Sequence, residues 1–240
     1  MIPLKFDLRL FILLALGFIA FTIIGTVSHE SGHYLAARCL GYKARLHYSS
    51  TSIQSYRPYE MDYLKSVFEK YPAQIKSNQP FPGKEQYMEI CRRISRRGIW
   101  FTLGGPLQTI LTGTIGLLLM FVFRRRYFAA EKLVFRQWLL VFISLFWLRQ
   151  AANFAVGSAS YILLGKRHFL GDEFALDWHF HLPVGTIWII TATIAVCVLL
   201  LVVFKFIPAK QRFTFIIAGL AGGVTGYLLW LVWFGKMIMP

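Results

Sequence analysis

The chain has 240 residues, 56% of them hydrophobic and 17% aromatic, with a mean hydropathy of +0.53. A soluble globular domain rarely carries that apolar load, so composition predicts an all-α, multi-pass integral membrane protein. Its 26 lysines and arginines outnumber 11 acids, for a net charge of +15; they cluster at the ends of apolar runs and in one polar insert, where they suit lipid headgroups, and no nucleic-acid-binding motif accompanies them.

Five apolar segments are expected. The first covers residues 10–40, preceded by Lys5 and Arg9. That start resembles a signal peptide, but no small-x-small cleavage site follows, so the segment is read as a retained span. At about 1.5 Å per residue it extends roughly 45 Å, longer than the bilayer core. Its last third carries His29-Glu30-Ser31-Gly32-His33, near one interface. Residues four apart are neighbours on a helix, so His29 and His33 can both reach one Zn²⁺. Glu30 is turned about 100° from His29, beside such a metal rather than on it, and suits a general base for water. An unpaired carboxylate in the apolar body of a span costs several kcal/mol, which favours a functional role over a stray acid beside two packed histidines. Cys39, six residues after His33, reads as a small residue in a packed helix, and the three scattered cysteines form no disulfide framework.

Residues 41–98 form a polar extramembrane insert within a single membrane domain of residues 1–240. The stretch 46–53 is β-prone and reads as a short edge strand. Residues 60–71 place Met61, Leu64, Phe68 and Tyr71 at helical spacing, an amphipathic surface helix. Pro72, Pro80 and Pro82 interrupt the chain beyond that helix, and residues 85–97 end in Arg92, Arg93, Arg96 and Arg97, suited to headgroup phosphates.

The second span, 99–123, opens with Leu103-Gly104-Gly105-Pro106 and continues with Thr109, Thr112, Gly113 and Gly116. The third, 135–164, carries Arg149 and Asn153. The fourth covers 183–206. The fifth, 213–234, holds Gly219, Gly222, Gly223 and Gly226. Small residues at this spacing let helix backbones approach closely in lipid. Basic residues divide about equally between the two sides, so they set no orientation.

A three-ligand zinc site needs one more protein group. Gly171-Asp172-Glu173 presents adjacent carboxylates just after the third span, and Asp172 is the expected ligand, with Glu173 as substitute or supporting partner. The same pair also fits an acidic helix N-terminus or partners for Lys166 and Arg167. His168, His179 and His181 flank it as alternative ligands. Asn153 suits either a helix–helix hydrogen bond or the orientation of a scissile carbonyl or oxyanion. Arg149, one turn earlier, suits pairing with an acid near the site.

Ser28-His29-Glu30-Ser31-Gly32-His33 on a membrane helix, Gly104-Gly105-Pro106 at the start of the next span and Asn153 on the third together resemble the site-2 protease family of intramembrane zinc metalloproteases. Asp172 matches that family's third ligand in role. Where the family carries Asn-x-x-Pro shortly before Asp-Gly, this chain has Asn153-Phe154-Ala155-Val156, with Asp172-Glu173 nineteen residues on. The resemblance implies hydrolysis of peptide bonds within or beside transmembrane helices of membrane-protein substrates and, in a bacterium, residence in the plasma membrane. Composition and spacing alone reach a membrane-embedded zinc hydrolase, with a non-catalytic or transport-type membrane protein retaining a metal site as the alternative. A strand at 46–53 would offer an edge to unwound substrate.

Overall fold

The computed structural model describes residues 5–54, 58–164 and 171–240; Lys166, Arg167 and His168 lie outside them. Helix α1 (Leu8–Cys39) starts where Asp7, in extended conformation, accepts a hydrogen bond from the Leu10 N–H. That satisfies one of the donors a helix start leaves free. Gly41, at φ +81°, reverses the chain beyond α1. The backbone then forms a two-stranded antiparallel hairpin, β1 (Lys43–Leu46) and β2 (Thr51–Gln54), with Lys43 opposite Gln54 and Leu46 opposite Thr51. This corrects the single strand expected at 46–53. Residues 47–50 are the turn, closed by the His47 N–H on the Ser50 carbonyl at 2.9 Å, as Ser49-Ser50 favours.

Helix α2 (Pro58–Lys70) lies close to the expected surface helix, but Met61 and Phe68 are exposed while Glu60 and Val67 are buried. Arg93 explains the inversion: its Nη2 sits 2.8 Å from Glu60 Oε1 and draws the acid inward. Pro72 begins a short helix, α3 (Pro72–Lys76), because a proline without an N–H is tolerated in a first turn.

The second span proves longer than its apolar core. Helix α4 (Lys84–Val122) runs unbroken for 39 residues, so the arginines at 92–97 project from the helix itself rather than from a preceding segment. Pro106 sits inside it without ending it. A five-residue helix, α5 (Arg124–Phe128), turns the corner. The third span is α6 (Phe135–Ser144), one 3₁₀ turn at Leu145–Trp147, and α7 (Leu148–Leu164). Next comes α8 (Asp172–His179), then α9 (Thr186–Leu201) ending in a π-turn at Val202–Phe206. The fifth is α10 (Ala209–Tyr227), a π-turn at Leu228–Phe234 and α11 (Gly235–Ile238). Among the described residues, five helical segments are thus long and apolar enough to cross a membrane, in a multi-pass, all-α protein with a small hairpin.

Small residues set the helix spacing. Gly222 of α10 faces Ala15, and Gly226 faces Ile19 and Thr22, so α10 lies close against α1. Nearer the C-terminal end of α1, Gly32 and Gly104 bring their backbones together. Any side chain at these positions would push the helices apart. Between them lies a core of Leu14, Phe18, Trp138, Phe142 and Phe215, with the Phe18 and Phe142 rings 5.0 Å apart edge to face. Asp177, fully buried, accepts from the Gly185 N–H at 2.7 Å and the Ile187 N–H at 2.9 Å. One carboxylate thereby caps α9 and fixes α8 against it.

Candidate metal centre

The close approach of α1 to α4, and the placing of α8 on α4, determine what surrounds the two histidines. His29 and His33, one turn apart, turn their Nε2 atoms toward each other at 3.3 Å. Asp172, the first residue of α8, brings Oδ2 to 2.9 Å from His29 Nε2 and 3.2 Å from His33 Nε2. Both histidines are buried, while the Asp172 side chain keeps 28% of its surface open.

The far nitrogen of each ring is held in turn. His33 Nδ1 donates to the Phe101 carbonyl at 2.8 Å. His29 Nδ1 lies 2.9 Å from Thr109 Oγ1, whose hydroxyl donates to the Gly105 carbonyl at 3.1 Å and therefore accepts from the ring. With both protons on Nδ1, both Nε2 atoms carry lone pairs. Two lone pairs and a carboxylate oxygen then converge on one point, an arrangement that calls for a cation between them. Two imidazoles and a carboxylate form the donor set of a catalytic zinc site. The backing on Nδ1 is what keeps such ligands in the binding tautomer. Gly105 completes the fit. A Cβ there would lie against Nε2 of both histidines, so the space among the three donors exists because α4 has no side chain at that position.

Burial by itself would raise the Asp172 carboxyl; when no cation is held, protons on the two imidazoles can turn to it instead, and their hydrogen bonds and charge outweigh burial and hold it well below the usual carboxylate range. Burial pushes the neighbouring Glu173 carboxyl up. Its Oε1 is buried without a hydrogen-bond partner among the described residues, and it stands outside the His29–His33–Asp172 group.

Glu30 is buried beside that group. The hairpin holds it: Thr51 Oγ1 lies 2.9 Å from the Glu30 carbonyl and 3.3 Å from its Oε2. Thr51 opens β2, so the strand meets α1 beside this acid. Arg149 is the cation that acts electrostatically on Glu30, Asp172 and Glu173 together.

Among the candidates named from sequence, the structure brings His29, His33 and Asp172 together with Glu30 alongside. Asn153 is half-buried on α7 and makes no side-chain hydrogen bond among the described residues. Cys39 is exposed, and His179 lies near Gly98, apart from the group. Thr51, the Phe101 carbonyl and Thr109 join the site although sequence marked none of them for it, and Gly105, named from sequence only within a helix-entry motif, makes room for it. The small-residue run on α4 was the available signal. It marked a close approach without saying that histidines would fill it. No family model matches the chain, and no curated protein or solved structure does either.

Proposed function

We propose that this chain is a membrane-embedded zinc metalloendopeptidase that cleaves peptide bonds within or next to transmembrane helices of membrane-protein substrates, in the manner of the site-2 proteases it resembles. The observation that carries this reading is the convergence of His29 Nε2, His33 Nε2 and Asp172 Oδ2 on one point, with the Glu30 carboxylate buried beside it.

His29, His33 and Asp172 would hold the ion, and Thr109 and the Phe101 carbonyl keep both rings in the tautomer that leaves Nε2 free. Zinc, when held, supplies Lewis acidity and lowers the pKa of water. Glu30 takes the proton of the attacking water and afterwards delivers it to the leaving amine, the two duties of one general acid–base group. Thr51 steadies Glu30 through its backbone and one carboxylate oxygen. Arg149 offsets the negative charge that Glu30, Asp172 and Glu173 place in a region of low dielectric. The open fraction of Asp172 leaves an approach for substrate. A transmembrane helix must unwind before it is cut, because its carbonyls are bonded internally. The hairpin beside Glu30 offers backbone groups to such an extended segment.

The test is zinc per chain in purified protein, paired with cleavage of a panel of co-expressed single-span membrane proteins. Wild type should carry one zinc. Glu30→Gln should retain it and cleave nothing, whereas His33→Ala should lose it. Cleavage by Glu30→Gln at the wild-type rate, or wild-type zinc in His33→Ala, would sink the proposal. A zinc-binding protein with no catalytic role would show metal in both wild type and Glu30→Gln and cleavage in neither.

A further inference from the structure

At the opposite end of the bundle, far along α1 from the histidines, three chain segments meet. Residues 5–9, 123–136 and 204–213 contribute two, five and three lysines or arginines, against the acids Asp7 and Glu131. Both acids are engaged: Asp7 caps α1, and Glu131 lies 3.7 Å from Lys210. The centre of this surface is Arg124-Arg125-Arg126, exposed side chains with no carboxylate partner among the described residues.

These arginines stand on a rigid corner. Tyr127 is buried beneath them, with its ring against Phe206 at 5.4 Å and its hydroxyl on the Gln137 carbonyl at 2.9 Å. Gln137 Nε2 in turn donates to the Arg126 carbonyl at 3.1 Å. The last turn of α4 leads into the corner with Leu118, Phe121 and Val122, all exposed. Apolar turn and arginines together line an open cleft of about 780 Å³.

An exposed apolar wall and guanidinium groups without a carboxylate partner one helical turn farther along match the two parts of one molecule, a phospholipid with an anionic headgroup; Arg126 also lies over the Phe123 ring, at 5.3 Å. Acyl chain would lie on Leu118 and Val122, and phosphate would take charge-assisted hydrogen bonds from the arginine forks. We propose that this cleft is a binding site for an anionic phospholipid, held by Arg124, Arg125 and Arg126. Charge complementarity selects the occupant: a zwitterionic lipid would bring its own cation into a surface already crowded with positive charge.

Lipid retention by the intact protein, read by native mass spectrometry from detergent, tests this with phosphatidylglycerol and phosphatidylcholine as probes. Each basic group near a membrane surface contributes roughly a factor of five, so Arg124→Gln/Arg125→Gln/Arg126→Gln should bind phosphatidylglycerol on the order of 100-fold more weakly. Arg125→Glu alone should also weaken it, and serves if the triple variant unfolds. Lys65→Gln/Lys70→Gln/Lys76→Gln, which removes three exposed charges elsewhere, should leave retention unchanged. Equal retention of the two lipids by wild type overturns the site. So does an equal loss in the control variant, which means diffuse electrostatics. Displacement of the lipid by inorganic phosphate overturns it in favour of a soluble anion.

Discussion

Replacing Gly105 with alanine sets two effects of known sign against each other. Alanine is the better helix former by about 1 kcal/mol, so α4 taken alone should gain stability. In the folded protein, however, the new Cβ would sit 2.6 Å from His29 Nε2 and 2.7 Å from His29 Cε1, and would also collide with His33 Nε2. Ordinary contact needs about 3.5 Å, so the ring must move by nearly 1 Å, whereas metal sites tolerate about 0.2 Å in ligand distance. Backing α4 away from α1 would relieve the clash only by opening the Gly32–Gly104 contact. Gly105→Ala should therefore weaken zinc binding by at least about tenfold, comparable with losing a group that orients a ligand, while the metal-free protein stays folded. Competition with a fluorescent zinc chelator in detergent reads the affinity, and thermal unfolding of the chelated protein reads the fold. Zinc affinity within about threefold of wild type would refute the idea that this glycine makes room for the ion.

Two further expectations concern stability. Tyr127→Phe removes the hydrogen bond to Gln137 and should cost about 1 kcal/mol. Burial pushes the Tyr127 phenol from its ordinary 10.0 up to about 12, so the folded state holds that proton more tightly than the unfolded chain does. The stabilisation is complete below pH 10 and disappears as pH rises through about 12; the Tm gap between wild type and Tyr127→Phe should close over that window, and a constant gap would count against it. Asp177→Ala leaves the start of α9 uncapped and should cost about 1–2 kcal/mol, seen as a lower Tm; an unchanged Tm would mean that the Gly185 and Ile187 N–H groups find other partners.

Much of the architecture is local in origin and legible in the chain. Apolar runs of membrane-spanning length form helices whatever surrounds them, because a backbone in lipid must satisfy its own hydrogen bonds. The five spans accordingly fall where hydropathy places them. Their ends shift where polar residues continue the helix, as in α4, whose first turns lie among lysine, glutamate and arginine. The hairpin reads as one strand in the sequence because a β-prone run does not say where it folds back on itself. The inward turn of Glu60 is hidden for a similar reason, since its partner Arg93 lies 33 residues away.

The pair His29 and His33, with Glu30 between them, comes from the helical repeat, so sequence alone determined which groups share a face of α1 and which acid stands beside them. Sequence put Asp172 ahead of Glu173 as the acid that meets the imidazoles but held no contact that decides between them. Asp172 and Glu173 are chemically near-equivalent neighbours, and only the placing of α8 on α4 turns Asp172 inward to both rings and leaves Glu173 aside. The tautomers were equally beyond local reasoning, because they depend on Thr109 and the Phe101 carbonyl from another helix. Periodicity reports what one element presents, while ligand geometry within tenths of an ångström is decided by how separate elements pack.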